Sequence, residues 1–303
     1  MTAAPPIGGP ALHALLAGAI DYAGLYPPAQ LDLASAVANY LAYRESADRW
    51  ALGRFVVPAG RLEEFATALG PGGGTPPPIP LSVTIGARVG EDVRLIEAFE
   101  RRDSGSTARI DSVEVKAGSA RNVSEVLGDI PFRWKRYVEV PAGAGSDAVL
   151  RWVSLAGVFA KVRTGGTDRE AFPPPDALLQ FLEDACRHRV PFKATAGLHH
   201  PLRGSYRLTY APDSACAPMY GYLNLALAAA ILWRHGTAAR ARAEAALVES
   251  APGALRSEGT AWCWREERFE LDFLAAFRRD FFHGFGSCSF REPLDELGGL
   301  ASQ

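Results

Sequence analysis

The chain has 303 residues, an apolar content of 48% and a formal net charge of −2, with acids and bases interspersed. That is ample apolar material for one large α/β domain or two smaller ones, and no basic stripe marks a nucleic-acid-binding surface. Four cysteines, Cys186, Cys216, Cys263 and Cys288, stand without CxxC spacing, which argues against a zinc ribbon or a disulfide framework and fits a reduced, cytoplasmic compartment.

Residues 1–10 are rich in Pro and Gly, read as mobile, and lack the basic and long apolar regions of a signal peptide. A short helix or turn is expected over 11–19, then a segment ending on Pro27 and Pro28. Leu33, Val37, Tyr40 and Leu41 recur at helical spacing, so 31–45 is a helix. A strand over 50–58 and a helix over 60–69 follow, then a Gly/Pro-rich surface loop over 71–80. Strands at 81–86, 110–116 and 133–140 alternate with helices at 91–102, 122–128 and 146–157, the last with Ser146 as cap. Two apolar runs, 159–166 and 191–201, carry Lys161 and Lys193 and flank a helix over 175–188. These six strands, with a further one expected to be hidden near 11–26, are nearly all followed by helices. The rhythm is that of a closed parallel barrel or a doubly wound sheet. No GxGxxG opens the first helix, so dinucleotide binding has no support.

After Pro201 the rhythm breaks. Residues 204–218 read as a loop, 220–235 and 238–249 as paired helices, 258–265 as a small strand or hairpin, and 269–282 as an amphipathic helix. The apolar stretch 220–233 contains Asn224 and is too short to span a membrane. Trp262 and Trp264 are expected to pack this appendage. A short strand and loop over 284–290 and a helix over 292–300 complete the chain.

Strand side chains alternate between faces. If the valines and leucines of each strand face the surrounding helices, the inward set is Ser82 and Thr84; Ser112, Glu114 and Lys116; Lys135, Tyr137 and Glu139; Phe159, Lys161 and Arg163; and Lys193 and Thr195. Burying an unpaired charge costs several kcal/mol (roughly). A cluster of carboxylates and lysines drawn from four strands is therefore expected to be paired and functional. Asp111 falls on the opposite parity from Glu114, so both face inward only if a bulge intervenes.

At this point the sequence resembles the deoxyribose-phosphate aldolase family over roughly residues 20–200. Ile20 and Asp21, followed by Leu25 and Pro27-Pro28-Ala29, look like its N-terminal Ile-Asp-His-Thr-Leu-Leu-x-Pro. The run Arg109 to Val113 looks like its Glu-Ile-Asp-x-Val strand, and Lys135 and Glu139 match its Leu-Lys-x-x-x-Glu strand. Ala156 to Lys161, with Thr164 and Gly165 following, looks like its Ala-Gly-Ala-Asp-Phe-x-Lys. Val190 to Leu198 is similar to its Val-x-Val-Lys-Ala-Ser-Gly-Gly-Ile. The resemblance implies a (β/α)8 TIM-type barrel and a lyase chemistry without cofactor or metal. Lys161 would be the Schiff-base lysine and Lys193 the neighbouring cation that lowers its pKa, since an amine attacks a carbonyl only when neutral and a free lysine has a pKa of about 10.4. The family would use Asp111 with Lys135 as an acid/base relay; the parity argument favours Glu114. Arg163 stands where the family has a small hydroxyl and suits an anionic substrate.

His199 and His200 lie at a strand end, where one could act as acid, base or metal ligand. The run 284–289 before a helix resembles an anion cradle, with Ser287 and Ser289 as hydroxyl donors. Cys288 as a nucleophile has no evident histidine partner except His283, and Thr164 to Gly166 would let a substrate approach the backbone. The resulting expectation is a single-domain (β/α)8-type barrel over 1–303, with 204–283 as a mainly helical insertion before the last strand. The function expected is an aldolase-like carbon–carbon lyase acting on a small anionic carbonyl compound. Its catalytic set is Lys161, Lys193, Glu114, Lys135 and Glu139; its substrate-binding set is Lys116, Arg163, Thr164, Thr195, His199, Ser287 and Ser289. The partner expected is a small-molecule substrate, not nucleic acid or membrane, with a homo-oligomer compatible. The same charged mouth also suits a different barrel enzyme working by acid/base chemistry, with or without a metal, or a non-catalytic ligand-binding barrel.

Overall fold

A computed structural model of the chain describes residues 9–70, 77–103, 107–117 and 119–301. Most of the expected mobile start and of the 71–80 loop lies outside the described residues. α1 (Gly9–Leu16) leads into β1 (Ile20–Tyr22), the strand expected to be hidden. Asp32 then caps α2 (Leu33–Glu45), accepting the N–H of Ser35 at 2.8 Å. The alternation continues through β2 (Leu52–Pro58), α3 (Leu62–Leu69), β3 (Ile79–Thr84), α4 (Val89–Asp103), β4 (Ala108–Lys116), α5 (Ala120–Gly128), β5 (Lys135–Val140), α6 (Ser146–Leu155), β6 (Phe159–Arg163), α7 (Pro175–His188) and β7 (Phe192–Thr195). Ser146 is not the cap of α6: Gly145 holds that position, and the Ser146 hydroxyl donates to Asp184 at 2.5 Å.

The 204–283 segment holds three helices, α8 (Tyr222–His235), α9 (Arg240–Leu247) and α10 (Leu271–Asp280). It also holds two small antiparallel sheets. The expected loop at 204–218 is a hairpin of β8 (Gly204–Arg207) and β9 (Cys216–Met219), and β10 (Leu255–Glu258), β11 (Ala261–Trp264) and β12 (Glu267–Glu270) form a three-stranded sheet. Trp262 and Trp264 are buried, as expected. β13 (Phe282–Ser287) and α11 (Arg291–Ala301) end the described chain. Among the described residues no helix is long and apolar enough to cross a membrane.

The eight strands β1 to β7 and β13 form a closed parallel barrel, with β13 inserted between β7 and β1. This is the α/β TIM-type architecture. Apolar residues of the outward parity, such as Leu81, Val83, Val113, Val115 and Val138, are buried beneath the helices. α7 begins with proline at its first position and ends on Arg189 in the left-handed region, and it buries Leu178, Leu179, Phe181, Leu182 and Ala185. Tyr222 of α8 stacks on Phe285 of β13, with ring centroids 4.7 Å apart.

Two irregularities tune the barrel. Between β3 and β4, Leu81 faces Ile110 but Ser82 faces Ser112, so Asp111 is skipped and the strand bulges there. The bulge lets Asp111 reach the interior, from which strict alternation with Glu114 would exclude it. In β13, Gly284 has φ +125°, and a Cβ there would lie 2.4 Å from the Ala19 carbonyl oxygen of the strand's entering neighbour. Gly284→Ala should therefore loosen barrel closure and cost about 2–3 kcal/mol, read as a lower urea midpoint at unchanged m-value.

Candidate active site

At the C-terminal end of the strands lies a cavity of about 190 Å³. Asp21, Thr84, Glu114, Lys161, Lys193 and Thr195 reach it from the barrel. Tyr26 to Pro28, His199 and His200, the β8–β9 hairpin, and Glu292 of α11 wall it from above. Lys161 is the centre. Its Nζ lies 3.1 Å from Glu114 Oε2 and 2.8 Å from Glu139 Oε2, on a side chain 9% exposed. It donates a hydrogen bond to Glu114. Glu139 Oε2 is buried, with the Lys161 ammonium as its close neighbour. Tyr26 Oη is bonded to Thr84 Oγ1 at 2.7 Å, and burial pushes its pKa up to about 12, so it stays a phenol.

Glu114 ties the two lysines together. Lys193 Nζ lies 2.5 Å from Glu114 Oε1 and donates to Asp21 Oδ2 at 2.9 Å and to Ser82 Oγ at 3.1 Å. Ser82 in turn donates to Glu114 Oε1 at 2.6 Å. The Lys193 ammonium also sits 4.7 Å over the Tyr137 ring. Asp21 is held from below by Arg54, whose backbone N–H donates to it at 2.8 Å. The Arg54 Nε contacts Asp111 at 2.6 Å, and Lys135 lies 3.6 Å from the same carboxylate. Lys135 is thus at the N-terminal end of the barrel, outside the cavity. The expected Lys135–Asp111 pairing exists, but it does not join Lys161 at the mouth. Parity gave the face of β5 correctly, but not the depth: four residue steps of about 3.3 Å each separate Lys135 from Glu139.

The protonation of this cluster corrects the simple lysine-pair expectation. Burial alone would lower the Lys161 pKa, but Glu114 and Glu139 outweigh it and hold it above the usual lysine value. For Lys193 burial is likewise outweighed, here by Asp21 and Glu114. Lys193 does not face Lys161 as a bare cation, because Glu114 stands between them. Burial would raise the Glu114 pKa, yet Lys193, Lys161 and the Ser82 hydroxyl hold it far below the usual carboxylate range.

The remaining expected residues divide. Arg163 is exposed, donates to the Gly165 carbonyl at 3.4 Å and lines the cavity, as does Thr195. Lys116 is exposed at the rim, 3.6 Å from Glu139. Thr164 is fully buried and spends its hydroxyl on the Ala196 carbonyl at 2.7 Å, joining two strand ends rather than facing the cavity. Gly165 serves packing, since a Cβ there would lie 2.4 Å from the Phe172 ring. The expected anion cradle is not formed. Ser287 faces His199 at 3.3 Å, Ser289 accepts the Glu292 N–H at 3.1 Å in the first turn of α11, and the Glu292 carboxylate already occupies that side of the cavity.

His199 gathers residues that the sequence left apart. Its Nδ1 lies 3.2 Å from Glu292 Oε2 and 3.9 Å from Cys288 Sγ, and the Tyr210 hydroxyl donates to Glu292 at 3.1 Å. Burial would lower the His199 pKa, but its bonds to Cys288 and Glu292 prevail and raise it to about 10. The partner of Cys288 is therefore His199, not His283. Nothing in local spacing joins His199 to Cys288 and Glu292; they meet because β13 closes beside β7. Asp21 was visible as part of an Ile-Asp motif, whereas Tyr26 and Glu292 carried no signal. Beside them, His200, Glu292 and Glu296 bring three ligand atoms within 4.8 Å of one another and could hold a divalent cation. His200 is stacked on Tyr206 at 3.4 Å and bonded to Glu296 at 2.8 Å.

The fold and its charged cavity define an α/β barrel with a lysine–carboxylate centre at the C-terminal mouth. Comparison with family models, curated proteins and solved structures finds no match to this chain.

Glu114→Gln leaves two buried ammonium groups short of a counterion and should cost about 3–5 kcal/mol. Because the folded Glu114 pKa is depressed, its contribution is present above about 4.3 and fades as pH falls further. Urea melts across acidic pH should therefore show a shallower acid loss in the variant than in the wild type.

Proposed function

We propose that the protein is a lysine-dependent carbon–carbon lyase, aldolase-like in its chemistry, acting on a small anionic carbonyl compound through Lys161. The observation that carries this reading is Lys161 Nζ at the cavity wall between two carboxylates, 2.8 Å and 3.1 Å away. The motif resemblance to deoxyribose-phosphate aldolase points the same way. Arg163 and Arg207 on the cavity lining suit a carboxylate or phosphate on the substrate.

The chemistry would run as follows at named atoms. Glu139 Oε2, 2.8 Å from Lys161 Nζ, takes a proton from the ammonium. The freed amine adds to the substrate carbonyl carbon, and loss of water leaves a protonated imine. Cleavage of the bond between the α- and β-carbons sends its electron pair toward that imine to give an enamine. The β-hydroxyl gives its proton to a carboxylate and leaves as the carbonyl of the released fragment; return of that proton to the enamine carbon regenerates the imine, and its hydrolysis frees the lysine. Tyr26, kept as a phenol, can donate to the substrate oxygen.

The raised proton affinity of Lys161 favours a second reading. In it the ammonium persists, polarises the substrate oxygen, and a carboxylate abstracts the neighbouring proton without an imine. Borohydride trapping separates the two. Incubation with small carboxylated or phosphorylated aldehydes and ketones should leave a reduced adduct on the Lys161 peptide by mass spectrometry, and none in Lys161→Met. No adduct, under conditions that trap a known class I aldolase, would favour the second reading. Glu139→Gln removes one of the anions that hold the proton, so trapping near neutral pH should quicken by roughly tenfold per unit of pKa lost, while turnover falls.

A further inference from the structure

We propose that the N-terminal end of the barrel holds a second ligand site, for a multivalent oxyanion of the phosphate class, built around Arg278 and Lys135. Nothing in this inference depends on the chemistry of Lys161.

A cavity of about 510 Å³ opens at this end, lined by Arg54, Lys135, Tyr137, Arg278, Arg279 and His283, with Asp280 at its edge. Its cations outnumber their partners. Asp280 is taken by Arg279 at 2.6 Å. Asp111 is shared by Arg54 at 2.6 Å, Lys135 at 3.6 Å and Arg109 at 3.8 Å. The Arg278 guanidinium donates to the carbonyl oxygens of Phe282 and Ala17, and its Nε is buried without an acceptor. Among the described residues no carboxylate forms an ion pair with Arg278. Carbonyl oxygens satisfy N–H groups but bring no net charge. A half-buried guanidinium without a counterion is still costly, and here desolvation pushes its pKa down to about 10.

His283 lies among the same cations. Its Nδ1 is bonded to the Tyr137 hydroxyl at 2.8 Å. Burial, followed by the charges of Arg278, Arg54 and Lys135, pushes its pKa down to about 4, so the ring is neutral in a field of cations. An incoming oxyanion would meet forked guanidinium donors and a half-exposed ammonium whose carboxylate is already shared. The surplus of more than one cation favours a dianion over a monocarboxylate.

The test uses the full chain with inorganic phosphate as probe, against chloride at matched ionic strength. The thermal midpoint should rise saturably with phosphate, and the His283 ring resonances should report a pKa raised on binding. Arg278→Met should weaken phosphate binding roughly tenfold or more. Lys135→Met, at a half-exposed position, should weaken it in the same sense and serves if the first variant does not fold. A wild-type midpoint that follows ionic strength alone would overturn the proposal. So would a phosphate response unchanged in Lys135→Met, or one lost instead when Arg163 and Arg207 at the opposite mouth are replaced by alanine.

Discussion

Glu114 holds two lysines at once, and the interior of the barrel is arranged around that contact. From it an alternating series of charges runs in both directions. Toward the mouth, Lys161 meets Glu139, and Glu139 meets Lys116. Toward the far end, Lys193 meets Asp21, Asp21 meets Arg54, Arg54 meets Asp111, and Asp111 meets Lys135. Each inner member has an opposite charge on either side, which is what makes so many ionised groups tolerable inside a core. Buried pairs seldom improve on apolar residues of equal volume for net stability. What this series provides is position: every inner head group is fixed by two neighbours, and Lys161 is fixed facing the cavity.

The same arrangement sets a chemical condition. An amine flanked by two carboxylates keeps its proton, and a lysine that keeps its proton does not attack a carbonyl. On the imine reading, the carboxylates that raise the proton affinity of Lys161 must also be the groups that relieve it, and Glu139, with an oxygen 2.8 Å from the amine, is placed for that. On the ammonium reading, the proton stays and the same pair works as acid and base. The two share every residue and differ in whether a covalent bond forms.

Much of this was legible in the sequence, for a physical reason. Strand alternation is a local property, so it identified the inward parity of Ser82, Glu114, Tyr137, Glu139, Lys161 and Lys193, and the strand-helix rhythm narrowed the fold to a closed barrel or a doubly wound sheet. Alternation does not give depth along the axis, which is why Lys135 was grouped with a mouth it does not reach. It also assumes an unbroken strand; the bulge at Asp111 brings two carboxylates inward where parity allowed one. Contacts across the closing seam, His199 with Cys288 and Glu292, depend on β13 returning beside β7 and left no trace in local spacing. Thr164 and Ser289 looked like substrate hydroxyls because loop hydroxyls serve ligands and backbone alike; here each is spent on the backbone.

The most direct test of the charge series is a side-chain 15N titration of the lysine Nζ groups, assigned with Lys161→Met and Lys193→Met. Both amines should remain protonated through neutral pH, titrating above the free-lysine value of about 10.4, with Lys161 titrating lower once Glu114 or Glu139 is replaced by glutamine. A Lys161 amine that titrates near neutrality in the wild type, or one indifferent to both substitutions, would contradict the account.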